Sequence, residues 1–136
     1  MSETNLDELF AEARKAADSA YVPYSKFRVG AALLTDNGTV ITGCNVENRS
    51  FGLTICAERT AVVKAVSLGF RSFKALAVST PDSKTPVGPC GACRQVLSEF
   101  MEPSSPVIFA GSGGENVKTN LGVLYPYDSL HELGRG

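Results

Sequence analysis

Three cysteines and one glutamate have a spacing that could support metal chemistry. Cys90 and Cys93 form a Cys-x-x-Cys pair, and Cys56 lies two residues before Glu58. Two sulfurs spaced in this way at the start of a helix can converge on one zinc ion, each at about 2.3 Å. A third thiolate from Cys56 would leave one position of a tetrahedral ion open to water, as in a catalytic site. Glu58 could then carry protons to and from that water.

Two other interpretations of the cysteines remain open at this stage. A closed structural zinc site needs a fourth protein ligand, for which Cys44 and His131 are the candidates. We expect Cys44 to be a packed thiol and His131 to be a surface or interface residue. A redox role for the Cys-x-x-Cys pair would leave Cys56 and Glu58 without a purpose. The open site with three cysteines is therefore our prediction.

The charge of such a site requires compensation. Three thiolates around Zn²⁺ carry a net charge of −1, which weakens the ion as a Lewis acid. Both cysteine segments are predicted at helix N-termini, where the helix dipole and free N–H groups favour negative charge. Arg59 could also donate charge-assisted hydrogen bonds to the sulfurs, and the alternative for it is a solvated surface position.

The elements that must position these residues follow from hydrophobic periodicity and turn signals. Helices are predicted over residues 6–20, 57–68 and about 90–100, and strands over residues 27–33, 39–44, 74–79 and 106–110. Thr4 and Asp7 are expected to cap the first helix. Asp36-Asn37-Gly38 is a turn signal that joins the first two strands into a hairpin. From residue 116 onwards we expect one weak strand and then a short turn.

This order of elements predicts an α/β protein. We expect a three-layer α/β/α sandwich around a mixed sheet of about five strands, formed by a single domain over residues 1–136. In such sheets ligands bind beyond the carboxyl ends of strands, beside helix N-termini. The cysteines of interest fall at positions of that kind.

The composition narrows the class of partner. Hydrophobic residues make up 43% of the chain and charged residues 20%, with a formal net charge of −1 and a pI near 5.8. No basic footprint for nucleic acid is present, so a small ligand is expected. A signal peptide and a membrane span are not recognisable, so we expect a cytoplasmic protein. In that reducing compartment the four cysteines are ligands or free thiols rather than disulfides.

Two segments around these residues resemble a known family. They read CAERTA at residues 56–61 and PCGACRQV at residues 89–96. They resemble the small, homotetrameric, zinc-dependent class of cytidine deaminase. The likeness continues in PYSKFRVGAAL at residues 23–33 and GCNVEN at residues 43–48, and it covers roughly residues 16–100. The combination is far more specific than either cysteine segment alone.

The resemblance implies a reaction and the residues that carry it out. The reaction is the hydrolytic deamination of cytidine and 2′-deoxycytidine to the uridines with release of ammonia, in pyrimidine salvage. Cys56, Cys90 and Cys93 would hold one zinc ion per subunit. Glu58 would move the protons and contact the ring nitrogen.

The resemblance also implies a set of substrate contacts. Phe27 would stack on the pyrimidine, the Ala57 N–H would hold the base carbonyl, and Asn45 and Glu47 would bind the ribose hydroxyls, with Val46 in the same substrate-binding segment. Asn45 and Glu47 alternate along an extended segment, so both side chains can face one ligand. A carboxylate there disfavours a phosphate and favours nucleosides. From the spacing alone Phe27 could equally be a core residue.

The family's assembly is the last implication. The resemblance implies a homotetramer with active sites near the subunit interfaces, so Phe51 could reach a site in an adjacent chain. Members often carry a Leu-Leu-Pro segment followed by a phenylalanine that reaches a neighbouring site. Here residues 124–130 read LYPYDSL, with no phenylalanine after the proline. Tyr127 or Leu130 could take that place.

Overall fold

The computed structural model describes residues 5–128 and contains a sheet with helices on both faces. The elements in chain order are α1 (Leu6–Ala17), β1 (Gly30–Thr35), β2 (Val40–Cys44), a 3₁₀ turn (Phe51–Leu53), α2 (Ala57–Ser67), β3 (Phe73–Ser79), α3 (Gly91–Ser98), β4 (Pro106–Ala110), β5 (Asn116–Asn120) and α4 (Leu121–Leu124). None of the helices within residues 5–128 is long and apolar enough to cross a lipid bilayer.

The sheet is mixed and five-stranded, as predicted. Its strand order is β2-β1-β3-β4-β5. β3 and β4 are parallel, and every other neighbouring pair is antiparallel. The connection between the parallel strands passes through α3, as a parallel pair requires a crossover. This places the N-terminus of α3, with its two cysteines, beyond the carboxyl end of β3.

Two separate hydrophobic clusters make the three layers. On one face Leu9 and Ala13 of α1 pack against a set of sheet residues: Ala32, Leu34, Ala75, Ala77 and Ile108. On the other face the sheet packs against α2, α3 and α4, through a larger cluster that includes Leu33, Val62, Leu76 and Leu97. The three-layer α/β/α prediction is confirmed.

The first strand differs from the prediction in both its start and its burial. It begins at Gly30, three residues later than predicted, and all six of its residues are buried. It lies between β2 and β3 with helices on both faces, so its side chains are covered in either direction. The segment of residues 27–29 is therefore a connection that leads into the sheet and not part of the strand.

Two glycines allow the helices to lie directly on the sheet. A Cβ at Gly30 would collide with the Ala13 carbonyl oxygen of α1. A Cβ at Gly43 would lie 2.5 Å from the Ala61 nitrogen of α2. The absence of a side chain at these positions sets the depth of both helices. The close approach at Gly43 therefore fixes the distance of α2, and of its N-cap Cys56, from the sheet.

The first helix is shorter than predicted and has a different cap. It ends at Ala17, with Asp18 as its C-cap, rather than at residue 20. Its N-cap is Asn5, whose side chain accepts a hydrogen bond from the Glu8 N–H at 3.2 Å. The predicted capping pair of Thr4 and Asp7 is therefore wrong, because asparagine is the better cap and stands one residue later.

Candidate active site

The three predicted cysteine ligands come together between two helix N-termini. Cys56 is the N-cap of α2, Cys90 is the N-cap of α3, and Cys93 lies in the first turn of α3. Their sulfur atoms all lie within 4.8 Å of one another, with 3.9 Å between Cys56 and Cys90 and 3.5 Å between Cys90 and Cys93. Sulfurs around a tetrahedral zinc at about 2.3 Å would be about 3.8 Å apart, so the cluster fits this ion.

The cluster contains three sulfurs within residues 5–128, the number of protein ligands expected for an open zinc site. Cys44 is not one of them; it is partly buried, and burial raises the pKa of its thiol. This agrees with its predicted role as a packed thiol. His131, the other candidate for a fourth ligand, lies outside the described residues.

The protein itself favours negative charge on Cys56. Hydrogen bonds from Cys93 and Arg59 lower the pKa of the Cys56 thiol to about 5. The pKa of Cys93 is raised instead, because its thiol donates to Cys56 and is itself buried. Of the two sulfurs, that of Cys56 is the one on which the surrounding groups favour negative charge. A metal ion that bound all three sulfurs would displace the remaining protons.

Arg59 points towards the sulfurs, as one of its two predicted roles requires. Its Nη2 lies 3.5 Å from the Cys56 sulfur, and the guanidinium is only partly exposed. Its Nε is buried and has no hydrogen-bond acceptor among the described residues. This position supports compensation of thiolate charge and not the solvated surface alternative.

Glu58 is the buried carboxyl group beside the sulfurs. It is only 5% exposed, although it is the second residue of α2. Burial, together with the nearby Cys56 thiolate, raises its pKa to about 7. A carboxyl group with a pKa near neutrality can both accept and return a proton under physiological conditions. No feature of the sequence indicates that this glutamate is buried.

Asn45 holds the segment that carries Phe27. Its Oδ1 accepts the Val29 N–H at 2.9 Å, and its Nδ2 donates to the Phe27 carbonyl at 2.9 Å. Phe27 is half-buried and belongs to neither hydrophobic cluster of the described residues, so the core alternative for it is not supported. Asn45 therefore positions Phe27, a function that the sequence did not predict.

Glu47 lies at the edge of an open cleft of about 610 Å³. One of its carboxylate oxygens accepts the backbone N–H groups of Tyr24 and Ser25, both at 3.1 Å. A hydrogen bond from the Ser25 side chain is the largest cause of the lowered pKa of Glu47, and the backbone N–H groups of Ser25 and Tyr24 lower it further. The carboxylate is therefore ionised at neutral pH. The cleft is also lined by Tyr21, Tyr24, Asn48, Arg49 and Ser50.

Val46 connects this segment to the cysteine site through its backbone. Its N–H and carbonyl form two hydrogen bonds of 2.9 Å with Ile55, the residue before Cys56. The bridge fixes the segment of residues 45–47 relative to the start of α2. Ile55 carries no chemical signal in the sequence, and its part in the site was not predicted.

The exposed aromatic residues include those expected near a subunit interface. Phe51 is 73% exposed and forms an edge-to-face contact with Tyr24, with 5.6 Å between the ring centroids. Tyr127 is fully exposed, whereas Leu130 lies outside the described residues. Arg94 links the C-terminal segment to the start of α3. Its guanidinium donates to the Leu124 carbonyl at 3.0 Å and to the Pro89 carbonyl at 2.7 Å.

Comparisons with known proteins agree with this geometry. A family model for the cytidine and deoxycytidylate deaminase zinc-binding region matches residues 3–109. Cytidine deaminase of Sporosarcina psychrophila is 54% identical over 122 residues, 90% of this chain and 89% of that protein. Cytidine deaminase of Halalkalibacterium halodurans is 50% identical over 118 residues, 87% of this chain and 89% of that protein.

A solved structure extends the similarity to the fold. The crystal structure of cytidine deaminase from Burkholderia pseudomallei aligns with a TM-score of 0.86 at 44% sequence identity. The alignment covers 91% of this chain and 98% of that one. The sulfur cluster lies within the matched region of the family model. The chain therefore belongs to the cytidine and deoxycytidylate deaminase family and is a hydrolase that acts on carbon–nitrogen bonds.

Proposed function

We propose that this chain catalyses the hydrolytic deamination of cytidine and 2′-deoxycytidine to uridine and 2′-deoxyuridine, with release of ammonia. One observation carries the proposal: three thiols at two helix N-termini converge within 4.8 Å beside a buried glutamate. A structural zinc site would need no such acid. The names of the relatives, which are cytidine deaminases of similar length, support the choice of substrate.

The three cysteines would hold one zinc ion per chain. When bound, zinc would supply a Lewis acid that lowers the pKa of a water molecule to about 7. Arg59 would offset the charge of the three thiolates through its contact with the Cys56 sulfur. The N-termini of α2 and α3 would also stabilise the negative charge of the thiolates. The cysteines lie at the ends of these helices where the backbone N–H groups are free.

Glu58 would be the general acid and base. It would take one proton from the attacking water and deliver it to the ring nitrogen, and would then take the second proton from the new C4 hydroxyl and deliver it to the leaving amine. The bond from C4 to oxygen forms, the bond from C4 to the amine nitrogen breaks, and ammonia leaves. The raised pKa of Glu58, about 7, supports proton transfer in both directions.

The substrate would be held by groups on three segments. The Ala57 N–H, which as the first residue of α2 has no acceptor within the helix, would donate to the base carbonyl. Phe27 would stack on the pyrimidine. Asn45 and Glu47 would bind the ribose hydroxyls, and Val46 would complete the same substrate-binding segment.

The assembly and setting are also proposals. We propose a single catalytic domain over residues 1–136 that forms a homotetramer with active sites near the subunit interfaces. The exposed apolar side chains beside the cleft support this: Tyr24, Phe51 and Leu53 are 45%, 73% and 65% exposed. We also propose that the chain is a cytoplasmic enzyme of pyrimidine salvage. Its formal net charge of −1 provides no basic footprint for nucleic acid, which agrees with a small nucleoside as the substrate.

A panel of substrates tests the specificity. We expect the purified protein to release ammonia from cytidine and 2′-deoxycytidine, and to act at least about a hundredfold less efficiently on their 5′-monophosphates, because the ionised Glu47 repels a phosphate. Single-stranded DNA and an aminated nucleoside antibiotic complete the panel. Ultraviolet absorbance and ammonia should change together. Faster turnover of the monophosphates or of DNA would contradict the proposed substrate class.

A further inference from the structure

The position of Phe27 depends on side chains and not on strand pairing. Its N–H donates to the Ser25 hydroxyl at 3.0 Å, and its carbonyl accepts from Asn45. The following residue, Arg28, has its N–H bound by the carboxylate of Asp82 at 2.8 Å. The peptide groups before and after Phe27 are thus held by the side chains of Ser25, Asn45 and Asp82.

Arg28 and Asp82 make a three-point contact although 54 residues separate them. Besides the backbone bond, the guanidinium binds the carboxylate in a fork, with Nε at 3.1 Å from Oδ2 and Nη2 at 2.8 Å from Oδ1. The two side chains are 36% and 28% exposed, so the ion pair adds little to stability. A bidentate pair instead contributes a defined geometry.

Asp82 lies in a loop that is itself tied to the sheet. The Thr80 N–H donates to Ala110, the last residue of β4, at 3.1 Å. The Ser83 carbonyl accepts the Ser112 N–H at 2.8 Å. The same loop ends at Cys90, the first cysteine of α3. Asp82 is therefore a fixed point on the segment that delivers two of the three sulfurs.

We propose that Arg28 and Asp82 form a positioning pair that fixes Phe27 relative to the cysteine cluster. The inference rests on the proposed function, in which Phe27 stacks on the pyrimidine. Neither residue of the pair is required to touch the substrate, since the pair acts through the backbone of Phe27. Loss of the pair should weaken binding of the base and leave the proton chemistry of Glu58 intact.

The test is the replacement Asp82→Asn in the full-length, zinc-loaded protein. We expect the KM for cytidine to rise about tenfold, the size of a lost base-stacking contact, with kcat changed less than about twofold. Zinc content and melting temperature should remain close to those of the wild type. Asp18→Asn is the matched control, because Asp18 contacts the same guanidinium at 3.3 Å from the C-cap of α1. Its KM should not change.

A double-mutant cycle separates positioning from a general structural effect. In a Phe27→Ala background, Asp82→Asn should raise KM by less than about twofold, because the ring that it positions is absent. Additive effects on KM, or an unchanged KM in the single variant, would overturn the inference while wild-type turnover still supported the proposed function. A wild-type protein that does not turn over cytidine would instead overturn the proposed function itself.

Discussion

Replacing Glu58 with alanine is expected to lower kcat for cytidine by about 10³- to 10⁴-fold, the upper part of the range for a general acid and base. Glu58 is 5% exposed with a pKa near 7, and it is the buried carboxyl group next to the sulfur cluster. The zinc content should not change, because this carboxylate is not part of the cluster of three sulfurs. Initial rates and metal analysis on the same preparation would measure both effects.

Two further variants make this result specific. Glu58→Gln keeps the size of the side chain and should be as inactive as the alanine variant, which excludes a cavity as the cause. Glu12→Gln makes the same chemical change at an exposed position of α1 and should leave kcat unchanged. A Glu58→Gln enzyme that retained wild-type turnover would show that another group moves the protons.

Replacing Cys90 with alanine is expected to remove the metal and the activity together. Cys90 is exposed, so its truncation leaves no buried cavity and tests the cluster rather than the core. Changes to residues that merely support a zinc ligand cost about 10- to 100-fold in affinity, so loss of a ligand should cost more than about a hundredfold. Zinc per chain after dialysis against a chelator would measure this.

Cys44→Ala is the matched control for the cysteine variant. Cys44 is a partly buried thiol outside the cluster, so zinc content and kcat should both be retained. Retention of zinc and full activity by the Cys90→Ala protein would contradict the assignment of the three ligands. Loss of zinc from the Cys44→Ala protein would point instead to a closed site.

Much of the fold could be predicted from local patterns. The boundaries of β4 match the prediction, and β3 and α2 differ by one residue, because short apolar runs bounded by glycine, proline and polar residues are strong local signals. β1 was harder to delimit. Its residues Gly30, Ala31 and Ala32 are small enough to be buried on both faces, so no alternation of polar and apolar residues marks the strand.

In the candidate site, too, some residues could be predicted from the sequence and others could not. The cysteines and Glu58 could be predicted because they lie in short motifs whose chemistry depends on spacing. The supporting contacts could not. Arg28 meets Asp82 across 54 residues, and Asn45 uses its amide to hold the backbone around Phe27. Such contacts depend on the register of strands and the path of loops, which leave no local trace in the sequence.

Zinc dependence can be measured as ammonia release from cytidine by the same wild-type protein before chelation, after removal of zinc, and after zinc is restored. We predict turnover at the start, its loss in step with the zinc content, and its recovery at one zinc ion per chain. The metal-free protein given Mg²⁺, which prefers oxygen ligands to thiolates, should stay inactive. Undiminished turnover by a protein shown to contain no zinc would contradict a zinc-dependent deamination at the three cysteines.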